Sequence, residues 1–391
     1  GIAFLEIDGG NTTQAFDCSN VGANTVALTV TDVNGNVSTC DATVTVEDTV
    51  DPTAVCQNIT VQLDATGQLT ITSADIDAGS SDNCGIASLE IDGGNTTQAF
   101  NCSNVGANTV TLTVTDVNGN TDNCTATVIV EDNIDPTAVC QNITVQLDAA
   151  GQLTITSADI DGGSFDNCGI AFLEIDGGNT TQAFDCSNIG ANTVTLTVTD
   201  VNGNVSTCDA IVTVLDTISP TVVCQDITVN LDVNGSIIIN ATDLISGSAD
   251  NCGVASVTVD SGQLNTTLDC STVGDNTVTV TVTDVNGNVS TCDAIVSVED
   301  NTNPTAACAS VTIQLDANGE AVITPVLVDN GSSDNCGIAT MSVLPQMLTC
   351  NNVGANSVVL TVTDVNGNIS TCVATVTAQD TINPTSICTD I

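Results

Sequence analysis

The hexapeptide Thr-Asp-Val-Asn-Gly-Asn occurs five times, at 31–36, 115–120, 199–204, 283–288 and 363–368, with starts 84, 84, 84 and 80 residues apart. Such a period makes the chain a tandem array. Each copy closes a run of alternating apolar and Thr residues. At 109–116, Val110, Leu112 and Val114 fall on one side and Thr109, Thr111, Thr113 and Thr115 on the other. A two-residue period is the pattern of a half-buried strand. Asn-Gly then supplies the positive backbone angles of a tight hairpin turn, and a second alternating run returns at 124–130.

The other strands of a repeat follow from its punctuation. In 49–132, residues 51–64 read as a first strand entered through Pro52, 68–76 as a second, 84–92 as a third and 96–102 as a fourth. Turns fall at 65–67 and 93–95, a polar loop at 77–83 and a corner at 103–108, and no stretch has a helical period. About seven short strands with turn signals about every 8–12 residues predict an immunoglobulin-like β-sandwich. A solenoid is excluded, because its turns are far shorter. The fold class is therefore all-β, a tandem array of immunoglobulin-like sandwiches with disulfides in each repeat. The expected divisions are a C-terminal half-repeat at 1–48, full repeats at 49–132, 133–216, 217–300 and 301–380, and the start of another at 381–391. Residues 1–48 match 169–216 nearly residue for residue. The chain thus begins in mid-repeat and reads as a window on a longer polypeptide.

Charge narrows the function. The 391 residues include 47 Asp plus Glu and no Lys, Arg or His, whereas ordinary chains are about a quarter charged with both signs present. A folded polyanion needs neutralising from outside, and divalent cations are the natural counter-charge. Nucleic acid and direct membrane insertion are not expected, since the first needs Lys and Arg and no apolar run is long enough for the second. With no Trp or Tyr and only six Phe, the core must be aliphatic and cystine, and aromatic platforms for sugars are missing.

The 19 Cys recur four per repeat, for example Cys56, Cys84, Cys102 and Cys124. Spacings of 28, 18 and 22 with no His are unlike zinc sites, so they read as disulfides formed in an oxidising compartment. Cys56 opens the first strand and Cys124 follows the hairpin, on strands that neighbour each other in a sandwich. Cys124 and Cys140 are separated by the last strand, at about 3.3 Å per residue, farther than the roughly 4.4–6.8 Å that a disulfide spans between Cα atoms. The expected bridges are Cys56–Cys124, Cys140–Cys208, Cys224–Cys292 and Cys308–Cys372, with Cys84–Cys102 and its equivalents as the second bridge.

The pattern of Asp51-Pro52-Thr53-Ala54-Val55-Cys56, then Asp82-Asn83-Cys84-Gly85, then Phe100-Asn101-Cys102-Ser103-Asn104, the hairpin and Cys124 resembles the hyalin-type (HYR) repeat. It is close to the four-Cys form found in tandem arrays of secreted surface proteins of Bacteroidota. The resemblance covers essentially the whole chain and implies an immunoglobulin-like fold, an extracellular or cell-surface location and a structural or adhesive role. The triplets around Thr49, Thr217 and Thr381 (Asp-Thr-Val or Asp-Thr-Ile) also resemble that phylum's O-glycosylation motif.

A sandwich of this topology brings three acidic segments to the end where the chain enters. For 49–132 they are the linker (Glu47, Asp48, Asp51), the loop after the second strand (Asp82 and Asn83) and the hairpin (Asp116, Asn118, Asn120). Carboxylate and amide oxygens in this number suit the six to eight positions around Ca²⁺; the rival reading is a solvated cluster of turn residues. The second junction repeats the set with Glu131, Asp132, Asp135, Asp166, Asp200, Asn202 and Asn204. At the fourth it is Glu299, Asp300, Asp334, Asp364, Asn366 and Asn368. The third keeps Asp216, Asp250, Asp284, Asn286 and Asn288 but has Leu215 and Ser219 where the first two carry acids; the fourth has Asn303 in place of the linker's second Asp. The third is expected to be the weakest joint.

The composition favours a Ca²⁺-stiffened extracellular rod or fibre that continues along one chain or self-associates. The alternative is a stalk carrying a binding or catalytic domain outside this window. An enzyme is not expected, since only paired carboxylates are available for catalysis and they recur in every repeat rather than in one pocket.

Overall fold

The computed structural model describes residues 1–260 and 262–387; Cys388 and the three residues after it, within the expected 381–391 segment, lie outside the described residues. The chain divides into two compact units. One comprises Gly1–Val145, Thr154–Ala183 and Gly190–Thr213, the other Gln146–Leu153, Phe184–Ile189 and Val214–Ile391.

In the first unit, one repeat runs through strands Ile59–Gln62, Gln68–Thr72, Ile86–Ile91, Thr97–Asn101, Gly106–Asp116 and Thr121–Glu131. Four of them form one sheet, in the order Ile59–Gln62, Thr121–Glu131, Gly106–Asp116, Ile86–Ile91, and the other two pair as a second sheet. The long hairpin is antiparallel, with Thr115 opposite Thr121 and Gly106 opposite Val130. Ile59–Gln62 runs parallel to its neighbour, Ile59 opposite Val128. The strand read across 51–64 is thus shorter than its sequence pattern, and ahead of it only Thr53 and Cys56 make isolated bridges, to Ser81 and Asp77.

The alternation decides what is buried. Val110, Leu112 and Val114 from one hairpin strand and Ala126, Val128 and Val130 from the other are essentially inaccessible. They pack with Leu63, Ile71, Ile76, Ile91 and Phe100 into one core. Burying a side chain of this size contributes roughly 1.5–3 kcal/mol, and the Cys56, Cys102, Cys124 and Cys168 sulfurs lie against the same core. The second unit builds the same pair of sheets at 227–299 and 311–379, and the strands between 143 and 215 repeat the order.

Three local expectations change. Residues 73–76, read as the end of a strand, form a one-turn helix in which the Asp75 carboxylate accepts from the Thr72 amide and hydroxyl at 2.7 and 2.8 Å. The turn points Ile76 into the core without extended pairing. In the hairpin turn Gly119 takes φ 98°, while Asn118 is not among the residues at positive φ. The loop is four residues long and is closed by the Asp116 amide donating to the Asn120 carbonyl at 3.0 Å.

The third change is the second disulfide. Cys56–Cys124, Cys140–Cys208, Cys224–Cys292 and Cys308–Cys372 form inside repeats, as expected. Cys84 and Cys102 do not bond to each other. The bridges are Cys18–Cys84, Cys102–Cys168, Cys186–Cys252 and Cys270–Cys336, each joining one repeat to the next. Cys102 caps the end of a strand beside Gly67, and a Cβ on Gly67 would lie 2.6 Å from Cys102 Sγ and 2.9 Å from the Asn167 carbonyl. The following repeat's Asn167-Cys168 loop therefore lies directly on this turn, which brings Cys168 rather than Cys84 within reach of Cys102.

Candidate metal centre

The Asp-Asn-Cys-Gly loop and the hairpin fold into mutual contact through their own backbones. The Asp82 carboxylate accepts from the Cys84 and Gly85 amides at 2.6 and 3.0 Å, and the Val117 amide donates to the Gly85 carbonyl at 3.1 Å. Asp116 is clamped harder. One of its oxygens accepts the amides of Asn118, Gly119 and Asn120, and the other accepts the Asn120 side-chain amide at 2.7 Å. The same Asn120 nitrogen donates to the Asp48 carbonyl at 3.1 Å, tying in the linker. Burial raises the Asp116 pKa, but the Asn120 side chain and the three turn amides outweigh it, and the carboxyl stays below its usual 3.8.

The result is a group of three carboxylates from three segments. Asp48, Asp82 and Asp116 place one oxygen each within 4.8 Å of one another. Asp132, Asp166 and Asp200 do the same, as do Asp216, Asp250 and Asp284, and Asp300, Asp334 and Asp364. Each group lies within one compact unit. The linker Asp is deeply buried at three of them, with Asp132 5%, Asp216 8% and Asp300 6% exposed.

Two oxygens in every group are buried and lack a hydrogen-bond partner. They are Oδ2 of Asp48, Asp132, Asp216 and Asp300, and Oδ1 of Asp82, Asp166, Asp250 and Asp334. A buried carboxylate oxygen without a donor is costly, and three like charges this close repel. A divalent cation removes both penalties. All the donors are hard oxygens, which fits Ca²⁺ or a similar ion and not a soft metal.

The other anticipated residues divide by role. Asn120, Asn204, Asn288 and Asn368 turn their amide nitrogens toward the hairpin Asp and the linker carbonyl. These bonds tie the hairpin to the linker, and the four amide oxygens are not among the buried partnerless atoms. Asn118, Asn202, Asn286 and Asn366 are exposed, as are Glu47, Asp51, Asp135 and Glu299. Glu131 accepts from Gln62 and Asn133. None of the five acids among them belongs to a carboxylate group. Leu215 and Ser219 stand at positions that lie outside the groups at the other junctions, and all four groups have the same three carboxylates.

Fold and site together define a tandem array of disulfide-bonded β-sandwich repeats with a partly buried three-Asp group recurring along it. The chain is similar to hyalin of Strongylocentrotus purpuratus, 28% identical over 376 residues. The match takes in 91% of this chain but only 30% of hyalin's length. That likeness and the repeated disulfide-bonded units fit a hyalin-type repeat; no family model matches the chain. Among solved structures, the protocadherin GammaB4 extracellular domain aligns over 96% of this chain and 77% of its own, at 12% identity and a TM-score of 0.29. Sidekick-1 immunoglobulin domains 1–5 align over 96% and 92%, at 10% identity and a TM-score of 0.30.

Proposed function

We propose that the chain is part of an extracellular structural or adhesive array, divided near residues 48, 132, 216, 300 and 380, in which Ca²⁺ occupies the three-Asp groups and stiffens the joints. The observation that carries this reading is the pair of buried, partnerless carboxylate oxygens at each of the four groups. The linker Asp, the Asp-Asn-Cys-Gly loop and the hairpin each contribute one carboxylate, so an ion would hold linker and sandwich together. The full anionic composition supports the same conclusion, because no Lys or Arg is present to neutralise the groups from within.

We further propose a bacterial surface protein, on the resemblance of the four-Cys repeat alone, that continues along one chain or associates with copies of itself into a fibre. Thr49, Thr217 and Thr381 are exposed and are proposed as O-glycan sites. Calorimetric titration of the full chain with Ca²⁺, paired with small-angle scattering before and after EGTA, tests the reading. Binding near four equivalents and a more flexible chain in EGTA are expected. Absence of Ca²⁺ binding, or scattering indifferent to EGTA, would overturn it.

A further inference from the structure

Beside each linker Asp lies an Asn of the Asp-Asn-Cys-Gly loop whose two side-chain ends behave differently. The Asn167 amide nitrogen donates to Asp132 Oδ1 at 3.2 Å and to the Asp64 carbonyl of the preceding repeat at 3.3 Å. Asn251 donates to Asp216 Oδ1 and to the Asp148 carbonyl, both at 3.2 Å. Asn335 donates to Asp300 Oδ1 at 3.1 Å and to the Asp232 carbonyl at 3.3 Å. The oxygens of these three amides are buried and accept nothing. The amide's orientation is set by two acceptors on its nitrogen, one of them the linker Asp of the group, and its carbonyl oxygen is left buried without a donor.

We infer that Asn167, Asn251 and Asn335 each supply an amide oxygen to the divalent cation held by the neighbouring Asp group, and that through the same side chain the ion is tied to the turn of the preceding repeat. This rests on the proposed Ca²⁺ reading and adds a fourth, neutral protein ligand to it. The second observation beside the acidic cluster is the set of deeply buried linker carboxylates, Asp132, Asp216 and Asp300, each with Oδ2 unpartnered. Neutral amide oxygens are ordinary Ca²⁺ ligands and satisfy coordination without adding to the crowding of negative charge.

The arrangement makes ion binding and inter-repeat contact one event. The Asn is followed directly by the Cys of the inter-repeat bridge, so covalent bond, tether and ligand occupy consecutive positions. Asn83 makes the same contact at the first group, donating to Asp48 Oδ1 at 3.3 Å.

The test compares the full chain with two triple variants, N167A/N251A/N335A and N167D/N251D/N335D. Tb³⁺ luminescence lifetimes in H₂O and D₂O count the waters on the bound ion, and calorimetry gives Ca²⁺ affinity. The Ala variant should gain one water at each of three sites and lose roughly tenfold or more in affinity there, the scale seen when a supporting group of a metal site is removed. The Asp variant should keep the original water count, since it keeps an oxygen while losing the amide donor. An Ala variant with unchanged water count and affinity would overturn the inference and leave the Ca²⁺ reading standing; an unaltered chain that binds neither ion would overturn both. A measurement on the unaltered chain covers the case in which a variant fails to fold. Ca²⁺ should shift the side-chain carbonyl ¹³C resonances of Asn167, Asn251 and Asn335 but not that of the exposed Asn202, and no shift would refute the assignment.

Discussion

Removing the inter-repeat bridge Cys102–Cys168 by C102S/C168S perturbs the contact between repeats most directly. The two residues are 66 apart in sequence with Cα atoms 5.3 Å apart. Closing a loop of that length removes denatured-state entropy worth about 4 kcal/mol at 25 °C in the chain-entropy model. The Cys56–Cys124 bridge already constrains part of the same segment, so about 2–4 kcal/mol is expected. The loss should fall on the repeats flanking the bridge, because the other bridges are untouched. Urea unfolding followed by circular dichroism, in EGTA, reads the change as a fall in midpoint together with a steeper slope, since the denatured chain without the cross-link is less compact. The serine variant should also weaken Ca²⁺ binding at the Asp132–Asp166–Asp200 group, since Asp166 and Asn167 immediately precede Cys168. Two results would refute the reasoning: a change below about 1 kcal/mol, too little for a loop of this size, or acid-protease peptides showing Cys84 linked to Cys102.

Gly151→Ala should destabilise by about 2 kcal/mol or more in thermal melts, since φ there is +72° and the new Cβ would meet Cys186 Sγ at 2.8 Å and the Asn251 carbonyl at 2.9 Å. Gly247→Ala, with no atom within 4 Å of its Cβ, should be close to neutral. At Asp284 burial raises the pKa but the Asn288 side chain and turn amides outweigh it, leaving the carboxyl below 3.8. Its contribution to stability is therefore complete above the unfolded value and lost as pH falls through the lowered folded value, and a carboxyl ¹³C titration should place its midpoint under 3.8. Asp250→Asn should reduce Ca²⁺ stoichiometry from four to three by calorimetry, and an unchanged stoichiometry would remove Asp250 from the site. Ca²⁺ at a hundredfold excess over Kd should raise stability by about 2.7 kcal/mol per site relative to EGTA, visible as a higher melting temperature.

Much of this molecule was legible in its residue order. The alternation Val110, Leu112, Val114 against Thr fixes a strand and its buried face, because a two-residue period has only one geometry that segregates apolar side chains. The hairpin, the aliphatic core and the Cys56–Cys124 bridge follow from that pattern. So does the meeting of Asp48, Asp82 and Asp116, since the topology sends their three segments to one end.

Tertiary structure decided what depends on packing between segments far apart in sequence. Cys84 and Cys102 lie closer in sequence than Cys102 and Cys168, yet stacking of the Asn167-Cys168 loop on the Gly67 turn sets the pairing. Spacing within a repeat carries no information about that contact. Asn120 and Asn167 are both Asn beside an Asp group, and both direct their amide nitrogens at carboxylates and carbonyls. Only Asn167 has a buried oxygen left without a donor. Glu131 and Asp135 adjoin Asp132 in sequence but lie outside the group. Neighbouring residues of an extended linker point to different sides, and which side faces the loop is settled only by where the hairpin Asn grips the linker carbonyl.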